Sequence, residues 1–376
     1  MRIIVAPDSF KESLTAAQVA SAISAGWRNA APEDELIELP LADGGEGTTQ
    51  ILVNAKNGRL KHCEVEGPLG AKVSAYYGTI DDGRTAIIEV AQASGLQLIP
   101  EQERNAILSS SYGTGELIRA ALDSGAEHLI IALGGSACTD AGVGMLQALG
   151  AKFTDQDGRE IGRGGGALTS LAHIDLTQAL NRVAGVNIVV ATDVTNTLLG
   201  AQGTARVFAP QKGAGVNAVA LLERGIEHFA RCAKTHGFEV SKFPGSGAAG
   251  GIGGALGGFL GAQIRSGIKI ILEALDFKKA LEGADLVITG EGSMDHQSAG
   301  GKVPSGVCEL AKQAGVPVIG VAGRVGEGLQ ALHEAGLVAV FSIAPGPISM
   351  ADALQNAAYN LTATAEQIGR MVHAVR

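Results

Sequence analysis

The chain has 376 residues, 46% hydrophobic, 18% charged and 4% aromatic, with 54 glycines and a formal net charge of −9. That apolar content is enough for two domain cores, and a glycine excess with no Gly-X-Y period excludes both collagen and a disordered polar chain. Surplus acid and few aromatic rings argue against nucleic acid or an anionic membrane as partner, although a locally positive cleft can still hold a small anion.

Residues 2–7 read as an apolar first strand that meets Asp8 at once, too short for a signal peptide. Thr15 with Gln18 three positions later forms a capping box and predicts a helix to about Asn29. A strand follows at 36–39, then the loop LADGGEGT (41–48) and a helix from Thr48. Residues 60–66, 73–80 and 85–90 alternate as short strands, with Gly67-Pro68 and Asp81-Asp82-Gly83 as turns. This change from βαβ to antiparallel texture predicts a domain boundary near residue 65. Residues 118–122 belong to a helix, and 129–133 and 186–191 are apolar strands of the buried parallel kind. Phe243 to Ile264 carries no charge and is long enough to cross a bilayer, but its core is mostly Gly and Ala. Such a segment has little apolar drive, and a close-packed glycine-rich helix is expected instead. The last third returns to βαβ, with strands at 286–288, 316–321 and 338–341 and helices at 303–314 and 351–373. Two βαβ regions around a different middle predict a discontinuous α/β domain, 1–65 plus 285–376, carrying an inserted α/β domain, 66–284. Cys63, Cys138, Cys232 and Cys308 lie far apart with no CxxC pair, as reduced thiols of a cytoplasmic protein would.

One pattern recurs. A strand ends, and an acidic residue stands in a Gly/Ser-rich loop before a helix: at Asp8, Asp43, Asp140, Asp193, and Glu291 with Asp295. In open parallel sheets such loops form the ligand-binding edge. Helix N-termini there present N–H groups to anions, and carboxylates there suit Mg²⁺ shared with substrate phosphates. Together these features suit phosphoryl transfer from a Mg-nucleotide. The plain structural alternative is that Asp, Ser and Gly are ordinary cap and turn residues; Ser9 with Glu12 also matches a capping box. Lys11 can hold a phosphate or carboxylate. Gly134-Gly135-Ser136 follows the most apolar strand as an anion nest would, and Asp193 can accept a hydroxyl proton. Gly245-Ser246-Gly247-Ala248-Ala249-Gly250 fits G-x-G-x-x-G, but no good strand precedes it and no ribose-binding acid follows at the expected distance. There is no P-loop, no G-x-S-x-G and no H-E-x-x-H.

The loops, taken together, resemble the glycerate kinase type 1 family, bacterial enzymes that phosphorylate D-glycerate. The matching stretches are DSFKESLT (8–15), LADGGEGT (41–48), LGGSACTDAGVGMLQALGA (133–151), DVTN (193–196), FAPQKGA (208–214), PGSGAAGGIGGAL (244–256) and TGEGSMDHQSAGGKVPSGV (289–307). They run in order along almost the whole chain. Thr197 stands where the family usually has Pro, and Met294 where Leu or Ile is usual; neither change removes an ionisable group.

The resemblance implies two α/β domains, one flavodoxin-like and one restriction-enzyme-like, one inserted into the other with a ligand cleft between them. It implies a cytoplasmic, ATP- and Mg²⁺-dependent kinase making 2-phosphoglycerate, with D-glycerate 3-kinase or a non-catalytic hydroxy-acid binding module as alternatives. Lys11, Asp43 and Asp193 are the expected catalytic residues. Asp8, Ser9, Glu46, Asn196, Glu291 and Asp295 are the expected substrate contacts. Gly134, Gly135, Ser136, Gly245, Gly247 and Gly250 would hold nucleotide phosphates, and Asp43, Asp193 and Asp295 the metal. No nucleic acid or membrane partner is expected, and assembly into a homo-oligomer stays open.

Overall fold

The first helix begins where its capping box says it should. Thr15 Oγ1 accepts the Gln18 amide, the Gln18 side chain accepts the Thr15 amide, and the helix runs Ala16–Ala30. Val19, Ile23 and Trp27 recur on one face and are fully buried. The computed structural model describes residues 1–375, and the chain separates into two compact units: Met1–Asp43 with the residues from Ile268 onward, and Gly44–Gly267.

The strands, in chain order, are β1 (Arg2–Val5), β2 (Glu35–Glu38), β3 (Arg59–Glu66), β4 (Lys72–Ile80), β5 (Thr85–Glu89), β6 (His128–Ala132), β7 (Lys152–Thr154), β8 (His173–Asp175), β9 (Asn187–Ala191), β10 (Gln263–Arg265), β11 (Leu286–Met294), β12 (Val318–Val325) and β13 (Leu337–Ser342). In the first unit five strands lie parallel in the order β13-β12-β11-β1-β2. Renumbered within the unit this is 2-1-3-4-5, the doubly wound order of flavodoxin-like sheets. Its core joins Ile3, Val5, Ile288 and Val321 of the sheet to the buried faces of the first and last helices.

The second unit is built on a six-stranded mixed sheet, β10-β9-β6-β5-β4-β3. β5, β6, β9 and β10 are parallel, and β3 and β4 add antiparallel hairpin pairing at one edge. Its own core runs from Val65 to Phe259 and includes Phe153, Leu222 and Phe229.

The units divide at Asp43/Gly44 and Gly267/Ile268, not near 65 and 285. The reason lies in the helix Thr48–Ala55, which continues a βαβ pattern in sequence but packs on the second sheet. A Cβ on Gly78 of β4 would lie 2.5 Å from Val53 and 2.9 Å from Thr49, so the bare glycine is the seat of that helix. The change of texture at 65 is therefore internal to the second unit. The uncharged segment forms a short turn and a helix of nine residues, Ile252–Leu260, and no helix among the described residues is long and apolar enough to cross a membrane.

Candidate active site

In the first unit the expected residues gather at the carboxyl ends of β1 and β11. Asp8 follows β1, and its amide donates to the Gly290 carbonyl at 2.8 Å. The Ser9 amide donates to Asp8 Oδ1 at 2.6 Å. DSFKES does not form the expected capping box. Phe10 and Leu14 exchange both backbone hydrogen bonds at 2.8 and 2.9 Å, and Glu12 sits at φ +64°, so the segment is a tight reverse turn that leaves Lys11 exposed at its tip.

Asp8 as a residue is half-buried, but its carboxyl is closely surrounded. Lost solvation first, and then the charge of Asp43, push it up to about 8; Glu291 adds to the rise, while the Ser9 amide and Lys11 oppose it. Glu291 is buried, and burial likewise raises its carboxyl. It accepts a hydrogen bond from Ser298 Oγ and faces Lys302 Nζ at 3.6 Å. Asp8, Asp43 and Glu291 thus form a desolvated acidic group only partly neutralised by Lys11 and Lys302. Asp295 acts locally. Its Oδ1 accepts the Gln297 amide at 2.9 Å, and its own amide donates to Ser298 Oγ at 3.0 Å, in a capping box over His296–Ala299.

In the second unit three of the loops meet on one edge of the sheet. Glu89, Ala132 and Ala191, the last residues of β5, β6 and β9, are in register. The loops Gly134–Ser136 and Asp193–Asn196 leave from just beyond that row. Gly44 and Gly45 lie directly against it: the Gly134 amide donates to Gly44 O at 3.2 Å, and a Cβ on Gly134 would fall 2.3 Å from Gly45 Cα. Gly44 is held at φ +87°, with Ala191 O only 2.8 Å from where its Cβ would be. The double glycine of LADGGEGT is thus required for backbone to lie on backbone. Glu46 is exposed beside this row, and Asp193 and Asn196 are half-buried. The Asn196 side chain donates to Gln202 O at 2.8 Å, fixing the DVTN loop.

Gly245, Gly247 and Gly250 turn out to be packing residues. All three are buried. A Cβ on Gly247 would lie 2.3 Å from Thr197 O, and one on Gly250 2.1 Å from Cys138 O. The glycines let this segment pack against the two neighbouring loops, which accounts for them without a phosphate.

Three residues, Glu89, Lys302 and Lys212, carry weight that sequence spacing did not reveal, and Asp140 has a role other than the one its loop suggested. Asp140, one of the acids in the recurring loop pattern, is fully engaged: Ser111 N and Oγ donate to it at 2.8 and 2.9 Å, and Ser110 Oγ, Gly142 N and Gly144 N at 3.2 to 3.4 Å. It is a structural staple. Glu89, buried and raised chiefly by burial, accepts the Thr49 amide at 2.6 Å and so holds the helix that follows GGEGT. Lys302 pairs with Glu291. Lys212, in the FAPQKGA stretch, is 3% exposed and reaches Ser136 Oγ at 2.9 Å and Cys138 O at 2.6 Å. FAPQKGA was the one signal pointing to Lys212, and it gave the lysine no role.

Acidic and glycine-rich loops at the carboxyl ends of strands suit phosphoryl transfer, and comparison with known proteins agrees. The model of the glycerate kinase family matches residues 3–373. A glycerate kinase of Bacillus subtilis (strain 168) is 49% identical over 99% of this chain and 98% of that protein. A glycerate 2-kinase of Escherichia coli (strain K12) is 46% identical over 98% and 97%. A crystal structure from Salmonella typhimurium LT2, assigned as a glycerate kinase 2, superposes with a TM-score of 0.83 at 47% identity, covering 100% of this chain and 98% of that one. With a family model spanning nearly every residue and relatives this similar over their whole length, the chain belongs to the glycerate kinase family.

Proposed function

We propose that the protein transfers the γ-phosphoryl group of ATP to the 2-hydroxyl of D-glycerate, giving 2-phosphoglycerate and ADP in the cytoplasm. The observation that carries this is the full-length 46% identity to a protein named glycerate 2-kinase, among a set of glycerate kinases. The hydroxyl oxygen forms the new bond to phosphorus, the bond from phosphorus to the β-phosphate oxygen breaks, ADP leaves, and the hydroxyl proton passes to a carboxylate. Asp193 is the proposed base. Lys11, exposed on its turn, is proposed to meet an anionic group of the substrates.

The acidic group of the first unit fits Mg²⁺. Hard carboxylate oxygens are its ligands, and the charge of Asp43 raises the cost of ionising Asp8 in a way a divalent cation would relieve. Among the described residues no group of three or more His, Cys, Asp or Glu is placed to hold a metal, but Mg²⁺ in kinases takes one or two carboxylates and completes its shell with water and phosphate. Asp8 and Asp43 are the proposed holders, and the ion would neutralise charge on the transferring phosphoryl group. Asp295, committed to its capping box, is the weaker candidate.

The deciding experiment is ADP release from purified protein with D-glycerate and MgATP, beside a second reaction containing enolase but no phosphoglycerate mutase. Phosphoenolpyruvate in the second supports transfer to the 2-hydroxyl. ADP without phosphoenolpyruvate moves transfer to the 3-hydroxyl. No glycerate-dependent ADP from cooperatively folded protein overturns the kinase reading in favour of hydroxy-acid binding alone.

A further inference from the structure

The least expected charge in the second unit is Lys212. An ammonium group buried to this degree loses its hydration, and a buried cation persists only where its protons are used and its charge answered. Burial lowers its pKa, with Cys138 and Asp140 opposing the drop. Asp140 answers part of the charge through space, but its oxygens are taken by the five donors described above and no direct ion pair to Lys212 forms. The two acceptors that Lys212 does have are Ser136 Oγ and Cys138 O, both on the loop that follows β6.

The consequence lies in the geometry of a hydroxyl. A serine oxygen has one proton to donate and lone pairs that accept. An ammonium group only donates, so the bond from Lys212 occupies a lone pair of Ser136 and turns the Ser136 proton away from the lysine. Among the described residues Ser136 Oγ has no other partner, so this proton is aimed at nothing in the protein. The same holds for the neighbouring backbone. Gly134 N–H donates to Gly44 O and Ala137 N–H to Ser94 O, but the amides of Gly135 and Ser136 donate to no acceptor among the described residues. Gly135, at φ +71° and exposed, has the left-handed conformation that lets successive amides converge. The loop therefore carries two free amides and one oriented hydroxyl, with a buried cation behind them that has no carboxylate in direct contact. Each of these favours an anion.

We infer that Lys212 is a positioning residue for a polyphosphate site on Gly135–Ser136: it commits the Ser136 hydroxyl to donate to a nucleotide phosphate and supplies the positive charge beneath it. The lysine does not touch the phosphate; it acts through the serine. Its delivery is rigid. Lys212 closes the turn Pro210–Lys212, its amide donates to Ala209 O at 3.0 Å, and Ala205 and Ala209 are fully buried. Gly213 then turns at φ +89°, where a Cβ would strike Arg104 O at 2.3 Å, so the backbone beside the lysine lies close against Arg104.

This inference rests on the nucleotide being the phosphoryl donor, and the experiment separates the two. Wild type, Lys212→Met, Ser136→Ala and the double variant are compared by calorimetric titration with MgATP, without glycerate, and by steady-state kinetics. Losing the donor in Ser136→Ala, or its orientation and the charge behind it in Lys212→Met, should weaken MgATP binding about ten- to hundredfold, leaving the KM for glycerate within about threefold of wild type. The double variant should bind no more weakly than Lys212→Met, because without the lysine the serine proton has no preferred direction. Unchanged MgATP affinity in Ser136→Ala overturns the site. So do additive effects in the double variant, or a rise confined to the KM for glycerate. Methionine fills the lysine's volume without its charge; should Lys212→Met nevertheless lose its cooperative melting transition, Ser136→Ala decides alone. Wild type that binds MgATP but does not phosphorylate glycerate overturns the proposed reaction, and the binding constants still judge the loop. Wild type that binds no MgATP overturns both.

Discussion

Asp140 and Asp193 stand in loops of the same kind; the hydrogen bonds around Asp140 make it structural, while Asp193 is the proposed base. Asp140 is buried and receives five hydrogen bonds, two of them from one serine. Replacing it by Asn turns one acceptor oxygen into a donor facing other donors. We expect Asp140→Asn to lose about 2–4 kcal/mol of stability, since the bond from Gly142 is broken and the four donors on Oδ2 lose their charged acceptor, and a chemical denaturation curve measures it directly. A wild-type midpoint would show that the loop does not depend on this carboxylate. Asp193 is half-buried at the edge where three loops meet. For Asp193→Asn, if Asp193 is the base, kcat should fall by about a hundredfold or more, as the loss of a group that acts in the transition state implies. Lys11→Ala should keep its stability while losing kcat/KM, because Lys11 is exposed and holds nothing together. Wild-type kinetics in both variants would remove these two residues from the mechanism.

The contact between the first and last helices shows how an element depends on single atoms. Ala16–Ala30 and Ala357–Ala374 pack so closely that a Cβ on Gly26 would lie 2.0 Å from Thr362 O. Gly26→Ala would ordinarily favour a helix by up to about 1 kcal/mol. Here the added methyl forces the helices apart, and overpacking of this kind costs about 1–3 kcal/mol. We expect a net loss, seen as a lower Tm; a higher Tm would mean that the pair separates freely. Asp34 ties the same pair at its end. Its carboxylate accepts from the Met1 amine at 2.6 Å and from Trp27 Nε1 at 2.8 Å, and His373 Nε2 lies 2.8 Å away. Burial alone would raise its pKa, but these partners outweigh burial and hold it at about 2, below the ordinary 3.8. A carboxyl depressed by folding stabilises the native state fully above its unfolded value and loses that contribution as the pH falls through its folded value. Between pH 4 and pH 2 the wild type should therefore lose stability more steeply than Asp34→Asn. Parallel slopes for the two across this window, by scanning calorimetry, would show that Asp34 is not linked to folding.

At the scale of the molecule, local pattern and remote pairing were unequally legible. The capping box at Thr15, the buried strand β6 and the closing βαβ run are encoded by neighbours in sequence, and they appear within a few residues of where spacing predicts them. The acid-bearing loops were legible for the same reason, since each stands at the end of a strand. What spacing could not carry was pairing across the chain. Lys212 meets Ser136 from 76 residues away, and Glu89 meets Thr49 from 40. No periodicity joins such partners. The unit boundary was misplaced by the same logic, because the helix Thr48–Ala55 follows β2 in sequence but has its seat, Gly78, in the second sheet. That boundary leads to one more expectation. The inserted unit begins and ends at a single point: a Cβ on Gly44 would lie 3.2 Å from Gly267 Cα. Adjacent ends are what allow one domain to be inserted into another without distorting either. The sheet from β3 to β10 and the core from Val65 to Phe259 also lie wholly within Gly44–Gly267. Residues 44–267 expressed alone should therefore fold. The expected signature is a single cooperative thermal transition by circular dichroism, with slow amide exchange in β5, β6 and β9. A fragment with helical signal but no cooperative transition would mean that the second core, complete as it is, is not sufficient to hold this unit together.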